Sequence, residues 1–253
     1  FSPIGNFPTQ FNGVYDGDYH EIQNLYIDRP TTNKVGLFGE TLTTGVRIEK
    51  LVLRDVYVEG KDQVGALVGY QRANIDDCGV ESGEIKGTSK VGGLIGEAAN
   101  QAVTQSYSRA DVTGTSDYVG GRVGILNGAD LLAVFTQGDV TGTGSADYVG
   151  GVVGDVNSSS SAVKRVYSTS KITATGTHKG ALFGEQTNSN ELDDFFWSSA
   201  LSTISFGTTV GDDADEVSVG YSTLPGNWGD LTESEMRDLT NFRDAPEDFN
   251  PSI

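Results

Sequence analysis

The stretch Val91-Gly92-Gly93-Leu94-Ile95-Gly96 is one of six copies of a glycine-rich block, and this block decides the fold. The final glycine of the block recurs every 27 to 30 residues, at positions 39, 69, 96, 124, 154 and 184. A fixed period of this length is the signature of a stacked repeat architecture. The block therefore predicts an array of similar structural units, each packed on the next.

Two further β-prone elements share this period. One is a short strand closed by a turn, as in Asp111-Val112-Thr113-Gly114. The other begins with an apolar anchor, continues through two variable residues and ends in a short apolar strand; its anchors are Ile22, Ile48, Ile75, Val103, Leu131, Val163 and Leu192. Glycine and β-branched residues in every repeat disfavour helices. We therefore expect an all-β, right-handed parallel β-solenoid of about seven coils with three short strands each.

Such a solenoid buries one row of apolar side chains per strand, with neighbouring coils ~4.8 Å apart. The block glycines would mark corners, or places where stacked backbones approach closely, because only glycine lacks a Cβ. The positions predicted to be buried are Leu53, Val58, Leu67, Ile85, Leu94, Val112, Val140, Val152, Ile172 and Leu182.

The block VGGLIGE, with its variants VGALVGY, VGGVVGD and KGALFGE, resembles the GLUG motif. The segment from Pro3 to Ile27 also resembles the entry segment of GLUG-repeat proteins, and the resemblance extends to about residue 200. It implies a β-solenoid of the kind found in bacterial or archaeal adhesin-type surface proteins. It is also similar to the non-catalytic repeat regions of IgA-cleaving metallopeptidases.

Charge limits the classes of partner. The 253 residues include 35 acidic and 17 basic side chains, a formal net charge of −18. Such a surface repels nucleic-acid phosphates and anionic membranes, so neither is an expected partner. No apolar run reaches the ~18 residues of a membrane span, so we expect no membrane insertion. A dense carboxylate surface is typical both of halophilic proteins and of ordinary acidic secreted proteins.

The periodicity divides the chain in two. Residues 1–204 form the predicted GLUG-type solenoid, and residues 205–253 form an acidic capping segment or a linker. Within the latter, Thr232-Glu233-Ser234-Glu235 matches a capping box and predicts a short helix to about Leu239. Because the chain begins at Phe1 without a methionine, we expect it to be part of a longer extracellular or cell-surface protein.

Catalytic motifs are missing from the sequence. The two histidines, His20 and His178, do not form a His-Glu-x-x-His motif. Cys78, the one cysteine, fits a small buried apolar position and rules out an internal disulfide framework. The carboxylate pairs 76/77 and 193/194 suggest a polysaccharide-cleaving site, but adjacent strand residues should point to opposite faces. The prediction is that the chain is not an enzyme and has no cofactor.

Two candidate binding sites remain. Asp212, Asp213 and Asp215 form an acidic cluster for which calcium is the candidate ion, although calcium β-roll and EF-hand patterns are absent. The second site is a row of aromatic residues at the fifth position of each anchored element: Tyr26, Val52, Gly79, Tyr107, Phe135, Tyr167 and Phe196. Tyr107, Phe135 and Tyr167 would stack, either as structural packing or as a platform for sugars or a protein.

The register of stacking predicts charge pairs between neighbouring coils. Lys164 should lie beside Asp193 and Arg165 beside Asp194, and Lys50 should lie beside Asp77 in the same way. The like charges at positions 49 and 76 should splay apart.

The leading functional prediction is a surface or adhesion module, a rigid stalk or binding surface whose partners are host or neighbouring-cell glycans or proteins, or copies of itself. One alternative is a subunit of a surface filament, S-layer or virion spike, which would show self-complementary contacts. The other is a carbohydrate-binding or carbohydrate-cleaving β-helix, which would need a groove with converging carboxylates.

Overall fold

The chain is a parallel β-solenoid in a computed structural model, which describes residues 1–158, 160–186 and 191–197. Only the backbone strand of residues 191–197 is described. Four parallel sheets run along the solenoid, with seven strands in sheet 1, six in sheets 2 and 4, and five in sheet 3. The described chain therefore makes about six turns and contains no helix. The predicted helix at 232–239 lies outside the described residues.

The strands are numbered in chain order. The first twelve are β1 (Val14–Gln23), β2 (Tyr26–Asp28), β3 (Phe38–Glu40), β4 (Arg47–Arg54), β5 (Val56–Glu59), β6 (Asp62–Gly65), β7 (Val68–Gln71), β8 (Asn74–Val80), β9 (Gly83–Gly87), β10 (Ser89–Gly92), β11 (Ile95–Ala99) and β12 (Val103–Ser108). The others are β13 (Asp111–Gly114), β14 (Val119–Gly120), β15 (Val123–Asn127), β16 (Leu131–Thr136), β17 (Val140–Gly142), β18 (Val149–Gly150), β19 (Val153–Val156), β20 (Ala162–Ser168), β21 (Ile172–Ala174), β22 (Lys179–Gly180), β23 (Phe183–Gln186) and β24 (Glu191–Trp197).

Each complete coil has four strands, one more than the sequence predicted. Sheet 1 is ordered β1-β4-β8-β12-β16-β20-β24, and sheet 2 is ordered β2-β5-β9-β13-β17-β21. Sheet 3 is ordered β6-β10-β14-β18-β22, and sheet 4 is ordered β3-β7-β11-β15-β19-β23. The extra strand arises because the glycine-rich block turns a corner and contributes one short strand to sheet 3 and another to sheet 4.

The interior is filled by the apolar rows that the period predicts. All ten predicted core residues are at most 3% exposed. In sheet 2, for example, Val58, Ile85, Val112, Val140 and Ile172 are in direct register on five successive strands. Burying each such side chain contributes about 1.5–3 kcal/mol, so the stacked rows are the main source of stability.

From the second block onward, the last glycine of each block lies against the backbone of the preceding coil. A Cβ on Gly96 would lie 2.4 Å from the carbonyl carbon of Gln63 and the nitrogen of Val64. A Cβ on Gly154 would lie 2.5 Å from the Gly124 oxygen and 2.6 Å from the Val119 nitrogen. Because these neighbours are backbone atoms, they cannot rotate away. The repeated glycine therefore lets sheet 4 pack directly on the start of the sheet 3 strands.

We predict that Gly154→Ala lowers the free energy of unfolding by about 1–3 kcal/mol, since a methyl group would push two backbone segments apart. Gly13→Ala is the matched control, because a Cβ there would meet nothing closer than 3.8 Å. Urea unfolding of both variants measures the effect. Equal stability of the two variants would contradict the proposed role of the close approach.

Five strands of sheet 1, β4, β8, β12, β16 and β20, share a kink two residues after the apolar anchor. Lys50, Asp77, Gln105, Ala133 and Arg165 all have a left-handed backbone, with φ between 45° and 55°. The kink explains the two variable residues after each anchor, because it turns two consecutive side chains outward. The sequence interpretation that adjacent carboxylates on these strands point to opposite faces is therefore wrong. Asp76 and Asp77 are both half-buried on the outside, between buried Ile75 and Cys78.

The first coil departs from the predicted register. Ile22 pairs with Leu53 and Tyr15 pairs with Ile48, so Ile22 is not the equivalent of the later anchors. The register of β1 shifts between Asp16 and His20. Tyr26 consequently lies in sheet 2, where it pairs with Tyr57, and it does not belong to the aromatic row of sheet 1.

The register predicted for the later coils is correct. Lys164 pairs with Asp193, and the flanking pairs place positions 165 and 194 side by side. The Asp193 and Asp194 side chains lie outside the described residues. Glu49 pairs with Asp76, but the ion pair described for Lys50 is with Asp16, at 3.6 Å, and not with Asp77. Glu49 forms an ion pair with the Arg47 guanidinium at 2.8 Å, and this pair offsets the repulsion from the negative charge at position 76.

One core position carries a charged residue. Arg122 is fully buried at the place where other blocks carry Leu67, Leu94 or Leu182. Its Nη1 donates to the Ser106 carbonyl, whereas Nε and Nη2 have no hydrogen-bond partner. Burial lowers the pKa of Arg122 to about 9, and the nearby Cys78 opposes that shift only in part. Arg122 is therefore a destabilising feature of an otherwise apolar row.

We predict that Arg122→Leu raises the free energy of unfolding by about 1–4 kcal/mol, because it removes a buried, incompletely paired charge. Leu94→Arg is the reverse experiment in the neighbouring coil and should destabilise the chain. Thermal and urea unfolding at neutral pH measure both. A less stable Arg122→Leu variant would mean that the guanidinium contributes favourable interactions beyond its bond to Ser106.

Candidate functional site

The aromatic residues of sheet 1 form a continuous stack of rings. Tyr107, Phe135 and Tyr167 are in direct register on β12, β16 and β20. Their ring centroids are 5.0 Å and 5.1 Å apart, with interplanar angles of 5° and 13°. The register continues to Phe196 on β24. We call Tyr107, Phe135 and Tyr167 the sheet 1 ring stack; its predicted alignment is present.

The N-terminal end of this stack is covered. A Cβ on Gly79 would lie only 2.2 Å from the Tyr107 ring, so only glycine fits beneath that ring. The Tyr107 hydroxyl donates to Glu81 at 3.1 Å, and Arg109 pairs with the same carboxylate at 2.6 Å. The Arg109 guanidinium lies 5.3 Å from the centroids of both Tyr107 and Phe135. Burial, reinforced by the Glu81 charge, raises the pKa of Tyr107.

The arrangement determines how a ligand could use these rings. Tyr107 is only 3% exposed, whereas Phe135 and Tyr167 are half-buried. Tyr107 and Tyr167 cover the two faces of the Phe135 ring, so its edge is the part open to a partner. Stacked rings contribute about 0.5–1.5 kcal/mol per pair to the fold itself. A role of Tyr107, Phe135 and Tyr167 in binding stays a prediction.

Among the predicted catalytic candidates, Asp76 and Cys78 are described, and both take part in the packing of the solenoid. Asp76 accepts a hydrogen bond from the Thr104 hydroxyl of the next coil. Cys78 is buried, as predicted, and burial raises the pKa of its thiol to about 12, which suppresses the reactive thiolate.

The candidate calcium ligands Asp212, Asp213 and Asp215 lie outside the described residues. Within the described part of the chain, no group of three or more His, Cys, Asp and Glu side chains could hold a metal ion. The same part of the chain has no helix that is long and apolar enough to cross a membrane.

A second ring stack, which the sequence analysis missed, runs along sheet 3. It consists of Tyr118, Tyr148 and His178, with ring centroids 5.1 Å and 4.8 Å apart. These residues directly precede the last three glycine-rich blocks, at intervals of 30 residues. Aligning the residue that directly precedes each block would have revealed this row of rings from the sequence. The His178 Nδ1 lies 2.9 Å from an Asp147 carboxylate oxygen.

Beside this sheet 3 ring stack, sheet 4 carries two acidic side chains on neighbouring coils. Asp155 and Glu185 are in direct register on β19 and β23. Asp155 is only 6% exposed, and its Oδ1 has no hydrogen-bond partner. Burial, followed by the negative charge of Glu185, raises the pKa of Asp155 to about 7, and His178 opposes this shift. The N-terminal neighbour of Asp155 in the row is Ile125, which offers no polar partner.

Comparison with known proteins links the chain to segments of much longer proteins. No protein-family model matches the chain. Over 117 residues, or 45% of the chain, it is 37% identical to "Halomucin" from Haloquadratum walsbyi. Over 144 residues, or 54% of the chain, it is 31% identical to "Immunoglobulin A1 protease" from Streptococcus pneumoniae. The matched segment is 1% of the halomucin and 7% of the protease, so the similarity concerns a small part of each relative.

A solved structure supports the same architecture. It belongs to a Bacteroides ovatus protein named provisionally as an immunoglobulin A1 protease. The TM-score is 0.61 at 18% sequence identity, over 82% of this chain and 69% of that one. The likeness shows the fold and leaves function open.

We predict that Asp155→Asn changes the pH dependence of stability. Because the folded-state pKa is about 7 and the ordinary value is 3.8, the folded state holds this proton more tightly than the unfolded state. The wild type should therefore lose stability as the pH rises from about 4 to about 7, by up to about 4 kcal/mol. Asp155→Asn should be the more stable protein at pH 8, and its advantage should disappear near pH 4.

Urea unfolding in amine-free buffers across this pH range measures the difference between the two proteins. Asp28→Asn removes an exposed carboxylate on β2 and is the charge-matched control. A difference between Asp155→Asn and wild type that does not vary with pH would contradict the assignment.

Proposed function

We propose that the chain is a rigid β-solenoid segment of a larger extracellular or cell-surface protein, where it acts as a structural and adhesion module. The observation that carries this proposal is the continuous stack of about six turns, whose interior is filled by apolar rows. A stack of this kind resists bending, because every coil is hydrogen-bonded to the next along four sheets.

The relatives support a location outside the cell. Halomucin and the streptococcal protease share only this kind of segment with the chain, within much longer proteins. A module that occurs in proteins with different names is more simply explained as a structural unit than as the seat of one activity. For the same reason we propose that the blocks resemble the GLUG motif because the two share a common ancestor.

We further propose that the chain itself catalyses no reaction, although some relatives are named as proteases. Asp76 and Asp77 lie half-buried next to each other on the outside of sheet 1, and Asp76 accepts a hydrogen bond from the Thr104 hydroxyl. A glycoside hydrolase of the usual kind needs two carboxyl groups that flank the bond to be cleaved. The net charge of −18 supports a role in keeping the surface hydrated in concentrated salt.

The candidate contact surface of the module is the outer face of sheet 1 around Phe135 and Tyr167. The half-buried rings of Phe135 and Tyr167 offer apolar area on the outer face of an acidic protein. Glycans or proteins of a host or neighbouring cell, or further copies of the chain, are the proposed partners.

We predict that the purified chain binds saturably to a glycan, to a cell-surface protein or to itself, and that it cleaves neither polysaccharides nor immunoglobulin A1. Glycan arrays, whole-cell binding and analytical ultracentrifugation test the first part, and product analysis tests the second. The double variant Phe135→Ser, Tyr167→Ser should lose binding, because it removes the exposed ring edges.

Tyr26→Ser is the matched control, since Tyr26 is 59% exposed in sheet 2, away from the proposed contact surface. Absence of binding to every partner tested would reject the adhesion role. Reproducible turnover that is lost on Asp76→Asn or Asp193→Asn would reject the non-catalytic role.

A further inference from the structure

The first coils of the solenoid pair an acid of sheet 4 with a cation of the same chain. Glu40 lies 2.7 Å from the Lys34 ammonium and 2.9 Å from the Arg72 guanidinium. Both cations also lie 5.2 Å from the centroid of the Tyr70 ring, which is next to Glu40 in the sheet 4 row. The Glu40 carboxylate and the Tyr70 ring thus jointly bind the Lys34 ammonium and the Arg72 guanidinium.

The third block repeats this pairing at Glu97. The Lys90 ammonium lies 3.0 Å from the carboxylate, and Gln63 donates to the same oxygen at 2.7 Å. Burial alone would raise the pKa of Glu97, but the bonds from Gln63 and Lys90 lower it. Lys34 and Lys90 both directly precede a glycine-rich block, so one backbone position supplies the cation in each case.

In the last two coils the acids are kept, but no lysine directly precedes the block. The position that directly precedes the block is occupied by Tyr118, Tyr148 and His178. Asp155 follows Tyr148 by seven residues, as Glu97 follows Lys90, and Glu185 follows His178 by the same interval. His178 directs its Nδ1 to Asp147, which lies 2.9 Å away.

The unpaired Asp155 oxygen points to a missing partner. A carboxylate that is 6% exposed and has an oxygen without a hydrogen bond carries the desolvation cost of burial without compensation. Its neighbour Glu185 adds a second negative charge in register. Tyr118, Tyr148 and His178 are half-buried beside the two acids, so the aromatic component of the first coils is also present.

We propose that Asp155, Glu185 and the sheet 3 ring stack form a binding site for an ammonium or guanidinium group supplied from outside the chain. The group would take the place that the Lys90 ammonium takes beside Glu97. An organic cation fits better than a metal ion, because the equivalent acids of this chain bind an amine or a guanidinium next to a ring. The described residues also offer only two acidic ligands here, fewer than a metal cluster needs.

The same chemistry could come from a free amine or from a lysine or arginine side chain of a partner protein. The probes are therefore n-butylammonium, methylguanidinium, and a Gly-Lys-Gly amide peptide with its Nζ-acetylated form. His178 is one of two histidines in the chain, so its ring resonances report on the site by NMR. Each titration is run at pH 8 in amine-free buffer at low salt, with the full chain.

We expect n-butylammonium and methylguanidinium to shift the His178 ring resonances saturably, while the His20 resonances stay unchanged. Asp155→Asn with Glu185→Gln should weaken binding at least about tenfold, since charge-assisted contacts are lost. Tyr148→Lys should also abolish binding, because it restores an internal cation at the position of Lys90. Asp28→Asn changes the net charge without touching the site and should bind as the wild type does.

The peptide arms identify the source of the cation. Tighter binding of the lysine peptide than of n-butylammonium, lost on acetylation, would support a protein partner, and equal affinities would support a free amine. Saturable shifts with calcium but not with the organic cations would overturn the proposal, as would the absence of any shift. The site lies away from Phe135 and Tyr167 on sheet 1, so these results are independent of the adhesion test.

Discussion

The close approach of backbone between neighbouring coils is the constraint from which the rest of the structure follows. From the second block onward, the closing glycine lies against the backbone at the start of the block in the preceding coil. This contact leaves no room for a Cβ, and it fixes how far one coil can rotate or slide over the next. The apolar rows can stay in register over about six turns because the same contact is repeated at every turn.

A second backbone feature, the left-handed kink in sheet 1, determines what the outer surface presents. It turns two consecutive side chains outward in each coil, so the chain gains an additional exposed row without lengthening the repeat. Residues as different as Lys50, Asp77, Gln105 and Ala133 occupy the kink. The surrounding hydrogen bonds of the stacked coils must therefore impose it, since left-handed backbone is unfavourable for such residues.

The period and its glycines were sufficient to predict the parallel solenoid, its buried rows and the stacking of Tyr107 on Phe135 and Tyr167. Other features required coordinates for physical reasons. The fourth strand could not be predicted, because the block is apolar on both sides of its corner. The kink has no residue signature, and the bulged β1 shifts the register so that Tyr26 lies in sheet 2. The surroundings of Asp155 depend on how sheet 4 packs beside sheet 3, which the sequence does not indicate.

The comparison between coils explains why a repeat protein can acquire a site without changing its fold. The backbone position before each block and the acidic position after it are held in place by the glycine contact, whatever their side chains. Lys34 and Lys90 use that geometry to neutralise Glu40 and Glu97 internally. Replacing the lysine by tyrosine, as at Tyr148, leaves the backbone unchanged but leaves a buried acid without its cation. A chain that tolerates this cost at one coil has exchanged internal stability for the capacity to receive a cation from another molecule.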